Sequence, residues 1–172
     1  MKNIGAKYGW AALIITFVWT LIEHFAGLNT TNHEAGQYAR MVGSFVYWIL
    51  IFVAIYQRRK QQGGVLSFGQ GFSTGVIVSA IYSIGCCIWY AIYGELINKQ
   101  YKPSLMAFER AKLEAAHATP DMIAAKMKEV DMSSGGSAMS YVLLVVFMFV
   151  ASCVVSTIAA LIFQRKPKRN NS

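Results

Sequence analysis

Hydrophobic and polar positions divide the chain into four long apolar stretches separated by polar segments. The stretches cover residues 8–28, 41–57, 71–94 and 139–163. A helix rises 1.5 Å per residue, so stretches of about 17–25 residues match a hydrocarbon layer roughly 30 Å thick. The pattern predicts an all-α fold: a four-transmembrane-helix bundle, one integral membrane domain over residues 1–172. The connections 29–40 and 57–67 are short, which makes consecutive spans antiparallel neighbours. The segment 95–138 is longer and predicts a two-helix extracytoplasmic insert between spans three and four.

Within the insert, Pro103-Ser104 predicts a helix start with Ser104 as N-cap, running through 105–117. Thr119-Pro120-Asp121 predicts a second start: Thr as cap, Pro at the first helical position, an acid in the first turn. That helix ends near Val130, and a Ser/Gly link over 133–137 leads to the last span. Leu105 and Phe108 form one partial apolar face, and Ile123, Met127 and Val130 another. Both predict packing on each other and on the span ends. The sharper alternative is a docking surface built from Met106, Met122, Met127, Met132 and Met139, because methionine suits adaptable interfaces.

Charge adds an orientation. The segments that share one side of the membrane hold Lys2, Lys7, Arg58, Arg59, Lys60, Arg165, Lys166, Lys168 and Arg169, and no acid. The other side holds seven basic residues and seven acidic ones. By the positive-inside rule, both termini and the loop 57–67 lie in the cytoplasm. The net charge of +8 does not imply nucleic acid, because nine of the sixteen basic residues flank span ends and acids match the rest. Those clusters suit anionic headgroups, at about 1 kcal/mol per charge, so membrane lipid is an expected partner. Lys2 and Lys7 precede the first apolar run as in a signal peptide, but no small-x-small cleavage site follows, so a retained anchor is expected.

Candidate chemistry is sparse. Cys86, Cys87 and Cys153 lie at mismatched depths within the spans, which argues against a disulfide. His24, His33 and His117 lack metal-ligand spacing. No nucleophile elbow, zinc-protease motif or phosphate loop is present. No enzymatic activity, metal or cofactor is expected.

Two features stand out. Span three carries small residues every fourth position, Gly71, Gly75, Ser79 and Ser83, a helix-packing face that allows close backbone approach. It fits a neighbour in the same chain, a second copy, or another membrane protein. Glu23 is the only acid inside a span. A charge in hydrocarbon is costly, so it is expected to point into the bundle, on the side of span one that holds Gly9, Ala12, Thr16 and Thr20. With it, His24, Arg40, Tyr47 and Tyr90 make a candidate intramembrane polar site, Arg40 or a tyrosine hydroxyl (Tyr141 included) being the expected partner. Glu23 then has two readings: a structural pair, or a proton- or cation-binding carboxylate. At the start of span three, Phe68, Gly69, Gln70 and Phe72 form an interfacial motif, with aromatic anchors at headgroup level and glycines for bending or close packing.

These residues carry a resemblance. The run Trp19-Thr20-Leu21-Ile22-Glu23-His24-Phe25-Ala26-Gly27-Leu28 resembles the end of the first span in an uncharacterised bacterial inner-membrane family, domain of unknown function 4199. The run Gly63-Gly64-Val65-Leu66-Ser67-Phe68-Gly69-Gln70-Gly71-Phe72-Ser73-Thr74-Gly75 resembles its approach to span three. A helical insert and a final span with a basic tail complete the likeness, which covers nearly the whole chain. His24 departs from it, standing where an aromatic such as Tyr is expected. The resemblance implies a multi-pass protein of the bacterial inner membrane and brings no activity. The function expected first is a non-enzymatic interaction or accessory membrane subunit, with homo-oligomerisation through span three as one form of it. The alternatives are a small proton- or cation-coupled transporter using Glu23, and a lipid-binding membrane protein.

Overall fold

The computed structural model describes residues 3–165. Lys2, Lys166, Lys168 and Arg169, counted above on the acid-free side, lie outside the described residues. The fold is all-helical: α1 (Ile4–Phe25), α2 (His33–Gln61), α3 (Phe68–Ile92), α4 (Tyr101–Ala115), α5 (Pro120–Ser133) and α6 (Ala138–Phe163). A π-helical turn, Tyr93–Ile97, extends α3. Four of these helices, α1, α2, α3 with its π turn, and α6, are long and apolar enough to cross a membrane.

The helices overrun the apolar windows at several ends, because capping rather than hydropathy sets where a helix begins. Asn32 caps α2 by accepting from the Ala35 amide at 3.1 Å, and Glu34 sits in the first turn. The polar run 33–40, expected as loop, is therefore helical. At the other end Arg58, Arg59 and Lys60 occupy the last turn of α2, where cations suit the helix dipole. The loop shrinks to 62–67, turned by Gly63 and Gly64 at φ +69° and +89°.

The bundle runs in the cyclic order α1, α2, α6, α3, with α2 and α3 also meeting across it. Its core holds Tyr47, Ile51, Ile55, Val78, Tyr82 and Cys86. The outer surface is a belt of exposed apolar residues, among them Ile14, Val18, Phe45, Ile49, Ile84, Ile88, Val150 and Val154. Such a belt is stable only against lipid or another apolar surface. At one end, called here the basic end, Leu66 and Arg165 exchange backbone hydrogen bonds of 3.1 and 2.8 Å, tying the α2–α3 loop to the end of α6. The insert α4–α5 lies at the opposite end, where α5 packs on α6.

The small-residue face of α3 lies buried in the bundle. A Cβ added at Gly71 would sit 3.1 Å from Ala160 Cβ of α6, and one at Gly75 would overlap Ser156 of the same helix. The contact made by these glycines is therefore within the chain. Of the two roles expected for the glycines of the interfacial motif, bending or close packing, Gly71 fills the second. Gly69 and Gly71 do not bend the chain; they sit in the first turn of α3. There Ser67 and Gln70 form a reciprocal capping box, with bonds of 3.3 and 3.1 Å. Phe68 and Phe72, one turn apart, stack with centroids 5.8 Å apart.

The start of α4 is also corrected. Its first residue is Tyr101, not Leu105, and Ser104 is no cap. Pro103 lies in the first turn, where it is tolerated because its missing N–H has no partner to lose there. Ser104 instead donates to the Tyr101 carbonyl at 3.0 Å and meets His33 Nε2 at 2.8 Å. Thr119 does cap α5, accepting from the Met122 amide at 3.4 Å. That helix runs to Ser133, one turn past Val130.

Candidate functional site

At the insert end, α1 terminates at Phe25 because Gly27 takes φ +76°, a left-handed conformation that glycine adopts without cost. The reversal carries Asn29 back beneath the turn, where it is buried. Two helical turns into α2, Arg40 reaches the same place. Glu23, on the last full turn of α1, completes the cluster with only 3% of its surface exposed.

Asn29 holds the cluster together. Its Nδ2 donates to Glu23 Oε2 at 3.1 Å, and its Oδ1 accepts from Arg40 Nη1 at 3.0 Å. Its backbone carbonyl accepts from Asn98 Nδ2 at 2.9 Å. Asn98 also donates to the Tyr93 hydroxyl at 3.0 Å, and that hydroxyl is hydrogen-bonded to His24 Nδ1 at 3.1 Å. Asn98 reaches this point because the π turn ends in an Asn98 N–H to Tyr93 carbonyl bond of 2.7 Å.

The expected partner of Glu23 is thus corrected. Neither Arg40 nor a tyrosine hydroxyl bonds it; a side-chain amide stands between the carboxylate and the guanidinium. Of the five site residues expected from sequence, Glu23 and Arg40 meet through Asn29, and His24 joins through Tyr93 and Asn98. Tyr90 lines the cavity described below. Tyr47 does not belong. It lies deeper, stacked on Tyr82 at 3.5 Å and donating to Ser152 Oγ at 2.8 Å. Asn29 and Asn98 were not legible as site residues, because their positions follow from a glycine reversal and a π turn rather than from helical periodicity.

Glu23 opens onto a cavity of about 450 Å³. Its walls are Thr20, Tyr82, Tyr90 and Tyr93 from the spans; its roof is Tyr101, Leu105, Glu109 and Val130 from the insert. Burial pushes the Tyr101 phenol above its usual range. Ser44 of α2 and Phe147 of α6 also line the cavity, and both are exposed, so it reaches the surface between those two helices. The second carboxylate oxygen, Glu23 Oε1, is buried with no hydrogen-bond partner; the Trp19 indole N–H beside the carboxylate donates to the Ala39 carbonyl at 3.2 Å instead. A buried acceptor left unpaired costs about 1–3 kcal/mol, more for a charged group. Arg40 makes no ion pair within 4.0 Å among the described residues.

One contact ties the roof to α2, and another ties its two helices to each other. His33, the first residue of α2, is buried against Ser104 of α4, with the Phe108 ring 5.8 Å from its own. Lys102 of α4 reaches Asp131 Oδ1 at 2.7 Å and the Gly135 carbonyl at 2.9 Å. Of the expected face Ile123, Met127 and Val130 on α5, the last two are buried and Ile123 is half-buried.

No curated protein and no solved structure matches the chain. One family does, described as "Protein of unknown function (DUF4199)", over residues 7–165. That span takes in all six helices except the first three residues of α1, the Glu23 cluster and the roof, and the chain belongs to this family.

Proposed function

We propose that this multi-pass membrane protein is non-enzymatic and works by binding, as an accessory or interaction protein whose working part is the cavity at Glu23. The observation that carries this reading is the unpartnered buried oxygen of Glu23 on a cavity wall. Folding left a hydrogen-bond acceptor without a donor at a place a small molecule can reach, and a ligand bearing that donor removes the penalty. The lining hydroxyls support binding over chemistry. Thr20, Ser44, Ser133 and Ser134 each donate to a backbone carbonyl one turn earlier, at 2.8, 3.1, 2.9 and 2.6 Å. A hydroxyl committed to the backbone is not activated by a base, as a nucleophile must be.

Transport through Glu23 is the second reading, supported by the tyrosine hydroxyls around the carboxylate. Below the cavity, Ile51, Ile55, Val78 and Ser79 are fully buried, which favours a closed site over a through-path. We place the protein in a bacterial inner membrane with the basic end cytoplasmic, on the charge asymmetry of its sequence.

Native mass spectrometry after mild extraction tests the binding reading. Wild-type protein should carry a small non-covalent adduct, and Glu23→Gln should lose it. Absence of any adduct, together with no thermal stabilisation by a panel of cations, anions and zwitterions, overturns it. Orientation is tested by labelling in a cysteine-free background. Ala125→Cys should react with an impermeant reagent from outside and Gln62→Cys should not; the reverse pattern inverts the topology.

A further inference from the structure

The cavity also constrains the chemistry of its occupant. Five charged side chains line it. Lys126 and Glu129 satisfy each other at 2.8 Å on the roof. That leaves Glu23, Glu109 and Arg40. Glu23 offers a buried oxygen that needs an N–H or O–H donor. Arg40 spends one guanidinium nitrogen on Asn29 and has no carboxylate of its own within reach. Two acids to one base favour a positive group on the ligand, and Arg40 adds a place for a negative one.

The two ends are held apart by the length of the Asn29 amide, which bonds both. A lone cation would leave Arg40 unsatisfied, and a lone anion would face Glu23 and Glu109. The geometry points to a zwitterion carrying a primary ammonium and an acidic oxygen group on a short spacer, its ammonium on Glu23 and its acid on Arg40. A quaternary ammonium does not fit, because it has no N–H to give to Oε1. The aminoethyl phosphate group has the required form. It occurs as a free solute and as the headgroup of phosphatidylethanolamine.

The surface opening fits the lipid source. Phe147 is 74% exposed and lies nine residues into α6, or about 14 Å along the helix axis. The cavity therefore meets the surface at a depth where an acyl chain has apolar surroundings. Glu129 of the roof lines the cavity too and is exposed, which gives a free solute a way in at the insert end, so the source is a matter for experiment.

This inference rests on the binding reading above, and the test separates the two. Delipidated protein is placed in phosphatidylcholine nanodiscs, with or without phosphatidylethanolamine. Unfolding temperature and affinity are then measured with ethanolamine, phosphoethanolamine and inorganic phosphate. Wild type should be stabilised by phosphoethanolamine or by phosphatidylethanolamine, weakly by ethanolamine, and not by phosphate or by phosphatidylcholine alone. Glu23→Gln should weaken the zwitterion by about tenfold or more, since a charge-assisted hydrogen bond is lost. Arg40→Met should abolish the preference for phosphoethanolamine over ethanolamine. Asp121→Asn, at the exposed start of α5, is the control and should change nothing. Stabilisation by the lipid alone assigns the headgroup as the ligand; stabilisation by the free phosphoester assigns a solute. If ethanolamine binds as well as phosphoethanolamine, or if phosphate binds alone, the zwitterion is wrong while the cavity remains a binding site. If nothing binds and no adduct co-purifies, both readings fall.

Discussion

The basic half of the bundle and its insert end are made from the same four spans and are built to opposite rules. Near the basic end, α3 and α6 approach through Gly71, Gly75, Ala160 and Ser156, and polar side chains there are satisfied within their own helices. Ser79 donates to the Gly75 carbonyl at 2.8 Å and Ser156 to that of Ser152 at 2.7 Å. Within the α3–α6 contact these hydroxyls leave nothing over; a second cavity of about 310 Å³, lined by Asn3, Arg58, Ser73 and Thr74, lies beside α1 at the same end, and Gln62 Oε1 is buried in the loop there without a partner. At the insert end the spans splay around a cavity, an acid sits in the wall with one oxygen unpaired, and an arginine lacks a counter-charge. The first arrangement is what helix association in lipid requires, where close packing replaces the hydrophobic drive. The second costs stability locally, and proteins tolerate such cost where a site is used. The contrast that separates scaffold from site is therefore between the closed α3–α6 contact and the cavity at Glu23, where a buried carboxylate and an unpaired guanidinium meet.

The largest expected effect breaks the scaffold. Gly75→Leu places a side chain where even a Cβ overlaps the Ser156 side chain, with Ser156 Cβ 2.6 Å away. Overpacking costs roughly 1–3 kcal/mol, and a backbone-proximal clash of this kind belongs at or above the upper limit. Thermal unfolding in detergent should show a loss of several degrees or no folded protein. Unchanged stability would mean that α3 and α6 do not meet here. Gly36→Ala is the counterpart at the insert end. A Cβ on Gly36 would strike the Leu28 carbonyl, which lies in the reversal that delivers Asn29. The expected loss is roughly 1–3 kcal/mol, together with loss of the bound adduct, because Asn29 can no longer bridge Glu23 and Arg40.

Glu23→Gln should do the reverse of a scaffold mutation. It keeps the side-chain shape and an acceptor for Asn29, while removing a buried charge. Stability should stay within about 1 kcal/mol of wild type or rise, and binding should fall. A large stability loss without any effect on binding would make Glu23 part of the scaffold and dissolve the distinction drawn above.

The sequence told these two regions apart unevenly, for a physical reason. Helical periodicity projects directly onto helix faces, so the stripe Gly71, Gly75, Ser79 and Ser83 and the buried side of α1 could be read from spacing. An acid within an apolar run is equally visible, which is why Glu23 was legible. Its partner was not. Asn29 reaches it only because Gly27 turns left-handed, and Asn98 arrives only because α3 ends in a π turn. Neither event has a period to detect. The same holds for His33 and Ser104: one read only as a histidine without metal-ligand spacing and the other as an N-cap, they form a contact between α2 and α4 that is set by tertiary packing.

The smallest expected effect concerns how the roof over the cavity is held. Two fastenings are available, the buried His33–Ser104 contact and the exposed Lys102–Asp131 pair. Asp131 has a side chain 60% exposed, and pairs of this kind contribute little, a median of about 0–1 kcal/mol, because water and salt screen them. Lys102 would also keep its bond to the Gly135 carbonyl if the carboxylate were lost. Asp131→Asn should therefore lower stability by less than about 1 kcal/mol. Raising salt should reduce even that difference. Ligand affinity should be unchanged, since Met127, Val130 and the His33 contact still hold α4 and α5 in place. Unfolding curves for the variant and wild type at low and high salt, with the binding assay repeated at each, measure all three quantities. If Asp131→Asn instead weakens binding as strongly as Glu23→Gln does, the roof is an electrostatic latch. The cavity then depends on an exposed ion pair, and the buried core of the insert end is not what keeps the site formed.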